Sequence, residues 1–439
     1  MIIIFLITLF LCTSAVASNL DLQSKTASIQ IATGASFSIN NPISTDVGKI
    51  ITESGSIISG TSISFIDGII EDQGNVISLS GILDVSETGY ILLNGNQKFS
   101  GSRGKVYQSV YVTGTNNRLE GDFLMNKDIE LADANAGVVL DIRSCLNSNI
   151  LLNGGSMSLD EDLRFVDGKR IVGPGRVRLN DRKLSFGAKV LDWNEPLYFD
   201  NATDIEVNAN INLSNIWTFS GQSVLSGNSN LLCLVTGGKI IVERGSSLLI
   251  KNVVMRKVNG SDVFCMDNAG TVSFQNVIWY LDSDYTFSIG HFDVLTEFTI
   301  SGTNKFIYNS SRPSVIGTKA SLTLDDGITF SYDPSVARQD LLLFEDSSSR
   351  LNLNGATLYT TVTGLQLTKG SLVVENDSYL ASETYGTFDA GISLGNASST
   401  DDFSCVLLSG ALLELTQGSL LYRNVASTAW KMDKSSIIE

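Results

Sequence analysis

The sequence predicts an all-β protein, a single-stranded parallel β-helix (β-solenoid) wound in irregular coils of 20–29 residues. Three observations carry that prediction: a five-residue ladder that returns eight times between Leu248 and Gln417, related short phrases in the N-terminal half, and a composition suited to many turns. Only 17% of the 439 residues are charged, there are 39 Gly and 5 Pro, and Ser, Thr and Asn fall between short apolar runs instead of forming tracts. That balance favours ordered β structure over a disordered tail or a helical bundle.

The ladder reads apolar, any, apolar, polar, then Asn, Asp, Gly or Gln. It occupies residues 248–252, 272–276, 298–302, 322–326, 351–355, 372–376, 392–396 and 413–417. Alternation at period two puts the first and third positions on one face, so Ile250, Phe274, Ile300, Leu324, Leu353, Val374, Leu394 and Leu415 are expected inside with their leaders. The fourth position is polar or Gly in every instance and is expected to meet water. The fifth favours residues that tolerate left-handed backbone and so turn a corner. Successive instances lie 24, 26, 24, 29, 21, 20 and 21 residues apart, each read as one coil. Two large apolar side chains buried per strand contribute about 3–6 kcal/mol, against an ordering cost of similar size or larger. Stability therefore requires many stacked coils.

The N-terminal half uses the same vocabulary. Residues 91–95 and 150–154 both read Ile-Leu-Leu-Asn-Gly, and residues 77–81 fit the ladder. Met157-Ser158-Leu159 returns 20 residues later as Val177-Arg178-Leu179, and Leu163-Arg164-Phe165 is followed 21 residues on by Leu184-Ser185-Phe186. One solenoid is expected over residues 61–425, with an N-terminal cap and first strands in 18–60 and a C-terminal tail or cap at 426–439.

Residues 1–17 read as a signal peptide. Ile2 to Cys12 is an almost unbroken apolar run, and Ala15-Val16-Ala17 supplies the small-x-small pattern of a cleavage site, although no Lys or Arg precedes the run. The run is shorter than the about 18 residues a membrane-spanning helix needs. No second segment of spanning length follows, so the mature chain is expected outside the membrane, secreted or at the cell surface. The formal net charge of −16 argues against nucleic acid as a partner.

The ladder, together with Ile171-Val172-Gly173-Pro174-Gly175 and the following Val177-Arg178-Leu179-Asn180, resembles the pectin-lyase-like right-handed β-helices of bacterial surface proteins and autotransporter passengers. The resemblance is one of repeat style over most of the mature chain. It implies a right-handed coil and an extracellular setting, and it raises the alternative of a polysaccharide lyase or glycoside hydrolase acting on acidic polysaccharide. Lyases of that group use a calcium-holding set of Asp residues and a catalytic Arg, and the hydrolases three Asp and a His.

The residues assign no such set. Asp325 and Asp326 occupy the polar and corner positions of the ladder, where other repeats carry Asn, Gly or Lys, so a turn role suffices. Asp401-Asp402 follows a Ser/Thr stretch that reads as a loop, and the single histidine, His291, precedes that pair where a hydrolase would need it to follow. Cys145, Cys233, Cys265 and Cys405 are too scattered for a zinc or redox motif; Cys233 and Cys265 lie among apolar neighbours and read as buried thiols, with a disulfide between adjacent coils as the alternative. No catalytic residue, metal site or cofactor is expected.

The most unusual local feature is basic: Arg164, Lys169, Arg170, Arg176, Arg178, Arg182 and Lys183 hold seven of the 30 cations within 20 residues. The five arginines form the candidate ligand site, since guanidinium forks engage carboxylate or sulfate bidentately. The competing reading is a solvated face neutralised by Asp160, Glu161, Asp162, Asp167 and Asp181 nearby. The function expected is a secreted or cell-surface structural or adhesive solenoid without catalytic activity, whose partner is a cell-surface glycan or protein. Six Asn-x-Ser/Thr sites, at Asn201, Asn212, Asn259, Asn309, Asn376 and Asn396, are unremarkable in a chain this rich in those residues.

Overall fold

A computed structural model of the chain describes residues 109–383 without a break, residues 391–395, 403–422, 430–433 and 435–439, and, before residue 109, the strands from Ala15–Ala17 to Lys98–Val106 with the turn at 95–96. Of the expected leader, only Ala15–Ala17 falls inside this set, as a strand in parallel register with Phe37 to Ile39. Asn396 and Asp401-Asp402 lie outside it.

The chain is an all-β solenoid of about 14 turns, in which every described strand pairing is parallel. Among the described residues there is no helix long and apolar enough to cross a membrane. The alternation that predicted strands is seen directly: Thr271–Phe287 runs through the burial sequence exposed-side, buried, exposed-side, buried along most of its 17 residues. Two compact units divide the chain, residues 1–189 with 195–208, and residues 190–194 with 209–439.

In the first unit three families of strands stack coil over coil. One joins Asn117–Gly121, Gly137–Ile142, Ser156–Leu159, Gly175–Arg178 and Leu197–Asp200. A second joins Leu163–Arg164, Lys183–Phe186 and Asp204–Val207. The third runs through Tyr90–Asn94, Ser109–Thr113, Ile129–Leu131, Ile150–Leu151 and Ile171–Val172. That family places Ile91, Val110, Ile129, Ile150 and Ile171 in a single column, each with 0% exposure. The two Ile-Leu-Leu-Asn-Gly phrases are thus the same position three coils apart. β-Branched side chains suit such a column because their restricted χ1 costs little in extended backbone.

The second unit repeats the plan with larger side chains. One inward column reads Leu232, Met255, Trp279, Ile300, Leu324, Leu353, Val374 and Leu407. Another reads Tyr285, Phe306, Phe330, Leu358 and Leu380. A third reads Leu225, Ile250, Phe274, Val294, Ile316 and Phe344. Rings meet both along and between columns: Phe306 stacks on Phe330 at 5.5 Å, and Phe274 faces Phe298 at 4.0 Å. Offset and edge contacts of this kind add about 0.5–1.5 kcal/mol each beyond burial.

The register corrects the ladder in two ways. Its eight instances do not form one column: Val272 pairs with Phe292, not Phe298, while Phe298 pairs with Val277. Leu372 pairs with Cys405 instead of Ile392, and Ile392 belongs to a different family with Leu365 and Leu420. Offsets of 24, 24, 29 and 21 survive as coils (248 to 272, 298 to 322, 322 to 351, 351 to 372). The coil after Leu372 advances 33 residues, to Cys405, and the shortest among the described coils advances 19, from Leu140 to Leu159. The same alternation recurs on all three sides of each coil, so spacing by itself cannot distinguish one side from the next. The second correction concerns the polar fourth position: Ser301 is buried, and so is Gly395. Ser301 is satisfied there by donating its hydroxyl to the Asp325 carboxylate.

Four of the seven described fifth positions close corners with left-handed backbone as the residue types suggested, whereas Asp326, Asn376 and Gln417 do not. Asn252, Asn276, Gly302 and Gly355 all have left-handed φ, at 53°, 54°, 119° and 82°. Asn117, fully buried, donates its amide to the carbonyls of Thr113, Gly114 and Gly137 at 2.9, 3.1 and 3.3 Å and so plugs a bend from within.

Candidate functional site

On the outer side of the first strand family, side-chain size varies from coil to coil. One outward column runs Gly137, Ser156, Arg176, Tyr198; its neighbour runs Val139, Ser158, Arg178, Asp200. Two successive coils thus present Gly, Val and Ser where the next two present Arg, Tyr and Asp. The result is a recess of about 280 Å³, floored by Gly137, Ser156 and Ser158, walled by Arg176 and Arg178, and bordered at the coil corner by Thr115 and Asn116. The corner is fixed by Asn116, which sits at φ 59° and donates its amide to Asn96 of the preceding coil at 3.1 Å.

The two arginines are held differently. Arg178 forks onto Asp200 of the next coil, at 3.1 and 2.6 Å. Arg176 lays its guanidinium over the Tyr198 ring, 4.3 Å from the ring centre. Beside the recess a network centred on Arg118 joins four coils. Arg118 binds Glu120 on its own strand at 3.0 Å, Asp141 one coil on at 2.5 Å and Asp160 two coils on, while Lys98 of the coil before holds Glu120 at 2.8 Å. Burial opposes the Arg118 charge, but hydrogen bonds to Asp160, Glu120 and Asp141 outweigh it and hold the guanidinium above its usual range. Glu120 is held below the usual carboxylate range, first by its hydrogen bond from Lys98 and then by that from Arg118, against desolvation.

The structure separates the five arginines that the sequence grouped. Residues 164–183 make roughly one coil, so neighbours in sequence point to different sides. Arg176 and Arg178 share the recess. Arg164 lies on the second family, where its Nε donates to the Cys145 sulfur at 2.9 Å. Arg170 leads into the third family and pairs with Glu195 at 3.4 Å, and Arg182 is exposed in the turn before Lys183. Lys183 binds Glu206 at 2.9 Å. The acidic run is divided as well: Asp160 goes to Arg118, Glu161 lies 3.9 Å from Arg143, and Asp162 accepts the backbone N–H of Lys183 at 2.9 Å. Gly137, Ser156 and Tyr198 were not read as site residues, although the recurrence aligning Ser158 with Arg178 already carried the register that would have found them.

The remaining candidates have structural surroundings. His291 Nε2 lies 3.0 Å from the Thr271 hydroxyl of the preceding coil. Asp325 accepts from Ser301 and from Asn354, the latter at 3.2 Å, within a polar ladder that continues to Asn376. Cys145, Cys233, Cys265 and Cys405 are all free thiols, and Cys233 and Cys265 pair in different strand families, which removes the disulfide alternative. Among the described residues no group of three His, Cys, Asp or Glu side chains is arranged to hold a metal ion.

The chain matches no protein-family model, no curated protein and no solved structure. The architecture and the recess therefore stand on the geometry alone.

Proposed function

We propose that this chain is a secreted or cell-surface β-solenoid with a structural and adhesive role, acting by binding and not by catalysis. The observation that carries the reading is the recess on the first strand family. It is a preformed concavity of about 280 Å³ set on strands locked in register, with hydroxyl, amide and guanidinium groups around it. Preorganisation of this kind favours affinity because little conformational entropy is lost on binding. Beside it Arg118 and Arg178 are paired with Asp141 and Asp200, an arrangement that stiffens the surface. The leader-like residues 1–17 support export.

The test has two arms. The full chain, expressed in a secreting host, is expected in the medium or on the cell surface with residues 1–17 removed. The purified product is expected to retain on cell-surface glycan without cleaving it. Incubation with polyuronates, with and without calcium, should yield neither unsaturated nor reducing ends; accumulation of either would overturn the non-catalytic reading, and retention in the cytoplasm would overturn the extracellular one.

A further inference from the structure

We infer that the recess walled by Arg176 binds a single acid-bearing saccharide unit, its carboxylate or sulfate on the Arg176 guanidinium and its hydroxyls on Ser156, Ser158 and Asn116. This deepens the adhesive reading above and rests on it.

The cations around the recess differ in their commitments. Lys98, Arg118 and Arg178 are each committed to carboxylates, at 2.8 Å to Glu120, 2.5 Å to Asp141 and 2.6 Å to Asp200 respectively. Among the described residues Arg176 has no carboxylate partner; its guanidinium rests on the Tyr198 ring. Stacking on that ring fixes the plane of the guanidinium while leaving its N–H groups available at the edge of the recess. A guanidinium so placed matches the bidentate geometry of a planar carboxylate or the face of a sulfate.

Charge counting then selects the kind of anion. Beside the recess Lys98, Arg118 and Arg178 already hold Glu120, Asp141, Asp160 and Asp200, so the attraction for a ligand anion comes from Arg176. The whole chain carries −16. A densely charged polyanion would meet that field with every unit of its length, whereas a glycan carrying one isolated acid meets one uncommitted guanidinium. The volume agrees: at about 280 Å³ the recess falls just short of the about 300 Å³ at the small end of ligand pockets. It suits one sugar ring better than an extended oligomer. Hydroxyl and amide groups on the floor and corner supply the mixed donors and acceptors that a sugar's hydroxyls require.

Calorimetric titration of the full chain with methyl glucuronide, galactose 6-sulfate, methyl galactoside and heparin tests this, the first two separating carboxylate from sulfate. At least one of the two acids is expected to bind about tenfold or more tightly than the neutral sugar, because a charge-assisted hydrogen bond is worth about 1.5–3 kcal/mol. Arg176→Met should remove that preference, Arg176→Lys should lose part of it by keeping the charge without the fork, and Arg164→Met should leave it unchanged. Folding of each variant is checked by its thermal midpoint. Equal binding of acid and neutral sugar, wild-type binding by Arg176→Met, or tight heparin binding with a steep salt dependence would each overturn the inference. Failure of both acids in a chain that still adheres to cells would sink this site while leaving the adhesive reading intact.

Discussion

Asn276 donates its side-chain amide to the Asn252 side-chain oxygen one coil earlier, at 3.1 Å, with both residues in left-handed backbone at φ 54° and 53°. Thr296, one coil later, extends the line by donating to the Asn276 oxygen at 2.7 Å. The corner residue therefore performs two tasks: it accepts a conformation most side chains avoid, and it ties three coils together along the stacking direction.

Replacing Asn276 separates those tasks. Asn276→Gly keeps the conformation and loses the hydrogen bonds, at a cost of about 1 kcal/mol for a partly exposed site. Asn276→Ala loses both, since a Cβ without a compensating polar group adds about 1 kcal/mol or more in left-handed backbone. Urea denaturation should rank the proteins wild type, Gly, Ala in falling stability; an Ala variant as stable as wild type would show that the ladder contributes nothing.

Arg118 gives a pH-dependent prediction. Without its guanidinium, Asp141 and Asp160 lose their cation and Glu120 keeps only Lys98, so Arg118→Met is expected to cost about 1–2 kcal/mol at pH 7, between an exposed and a buried pair. The Glu120 carboxyl is depressed in the folded state, so its contribution is full above the unfolded value and is lost as pH falls through the folded one. The depression owes most to Lys98, which the variant keeps, and next to Arg118, so the gap between wild type and Arg118→Met should be widest near neutrality and narrow as pH falls through the depressed Glu120 value, below the usual carboxylate range. Paired urea midpoints from pH 7 to 3 would check this, and a gap independent of pH would sink it.

How much of this was legible in the sequence depends on the range of the interaction. Period-two alternation is a property of five residues, so the inward set was readable at once: Ile250, Phe274, Ile300, Leu324, Leu353, Val374 and Leu394 are all buried. Leu415 is only half-buried. The register is a property of whole coils with variable loops, and there spacing failed, because Phe292 and Phe298 are equally good apolar leaders 20 and 26 residues after Val272 and only packing selects between them. The basic cluster failed for the same reason. Arg170 and Arg176 are six positions apart, yet a corner between them sends one to the Glu195 pair and the other to the recess.

Tyr332 anchors the long loop before Leu342–Phe344. Its hydroxyl donates to the Arg338 carbonyl at 2.8 Å and accepts the Leu341 N–H at 2.9 Å. Leu341 is fully buried, so Tyr332→Phe leaves that N–H without a partner and should cost about 1–3 kcal/mol. The Tyr308 hydroxyl shares its one proton between the carbonyl of Arg312, an exposed residue, and that of Leu341, the latter at 3.0 Å; the Leu341 carbonyl keeps the Ser314 N–H at 2.8 Å, so Tyr308→Phe should cost less. Guanidinium melts of the two variants, with limited proteolysis of residues 333–340, test the order; equal loss in both would contradict it.

The thiols probe the stacked core without a substitution. Cys265 and Cys405 are fully buried, and desolvation pushes both up to about 12, while Cys233 is buried and Cys145 is half-exposed beside Arg164. The thiolate is the species that reacts, and at pH 8 a group with that value is ionised only to roughly one part in ten thousand. Access compounds the effect, since Cys265 lies in register with Val242 and Cys405 with Leu372, inside their columns. In the chain freed of residues 1–17, a maleimide at pH 8 should therefore modify Cys145 quickly and the other three only after urea unfolds the coils. Mass spectrometry of the labelled peptides reads this directly. Rapid native labelling of Cys265 or Cys405 would mean that the columns do not close over them, and the parallel core inferred from their register would have to be abandoned.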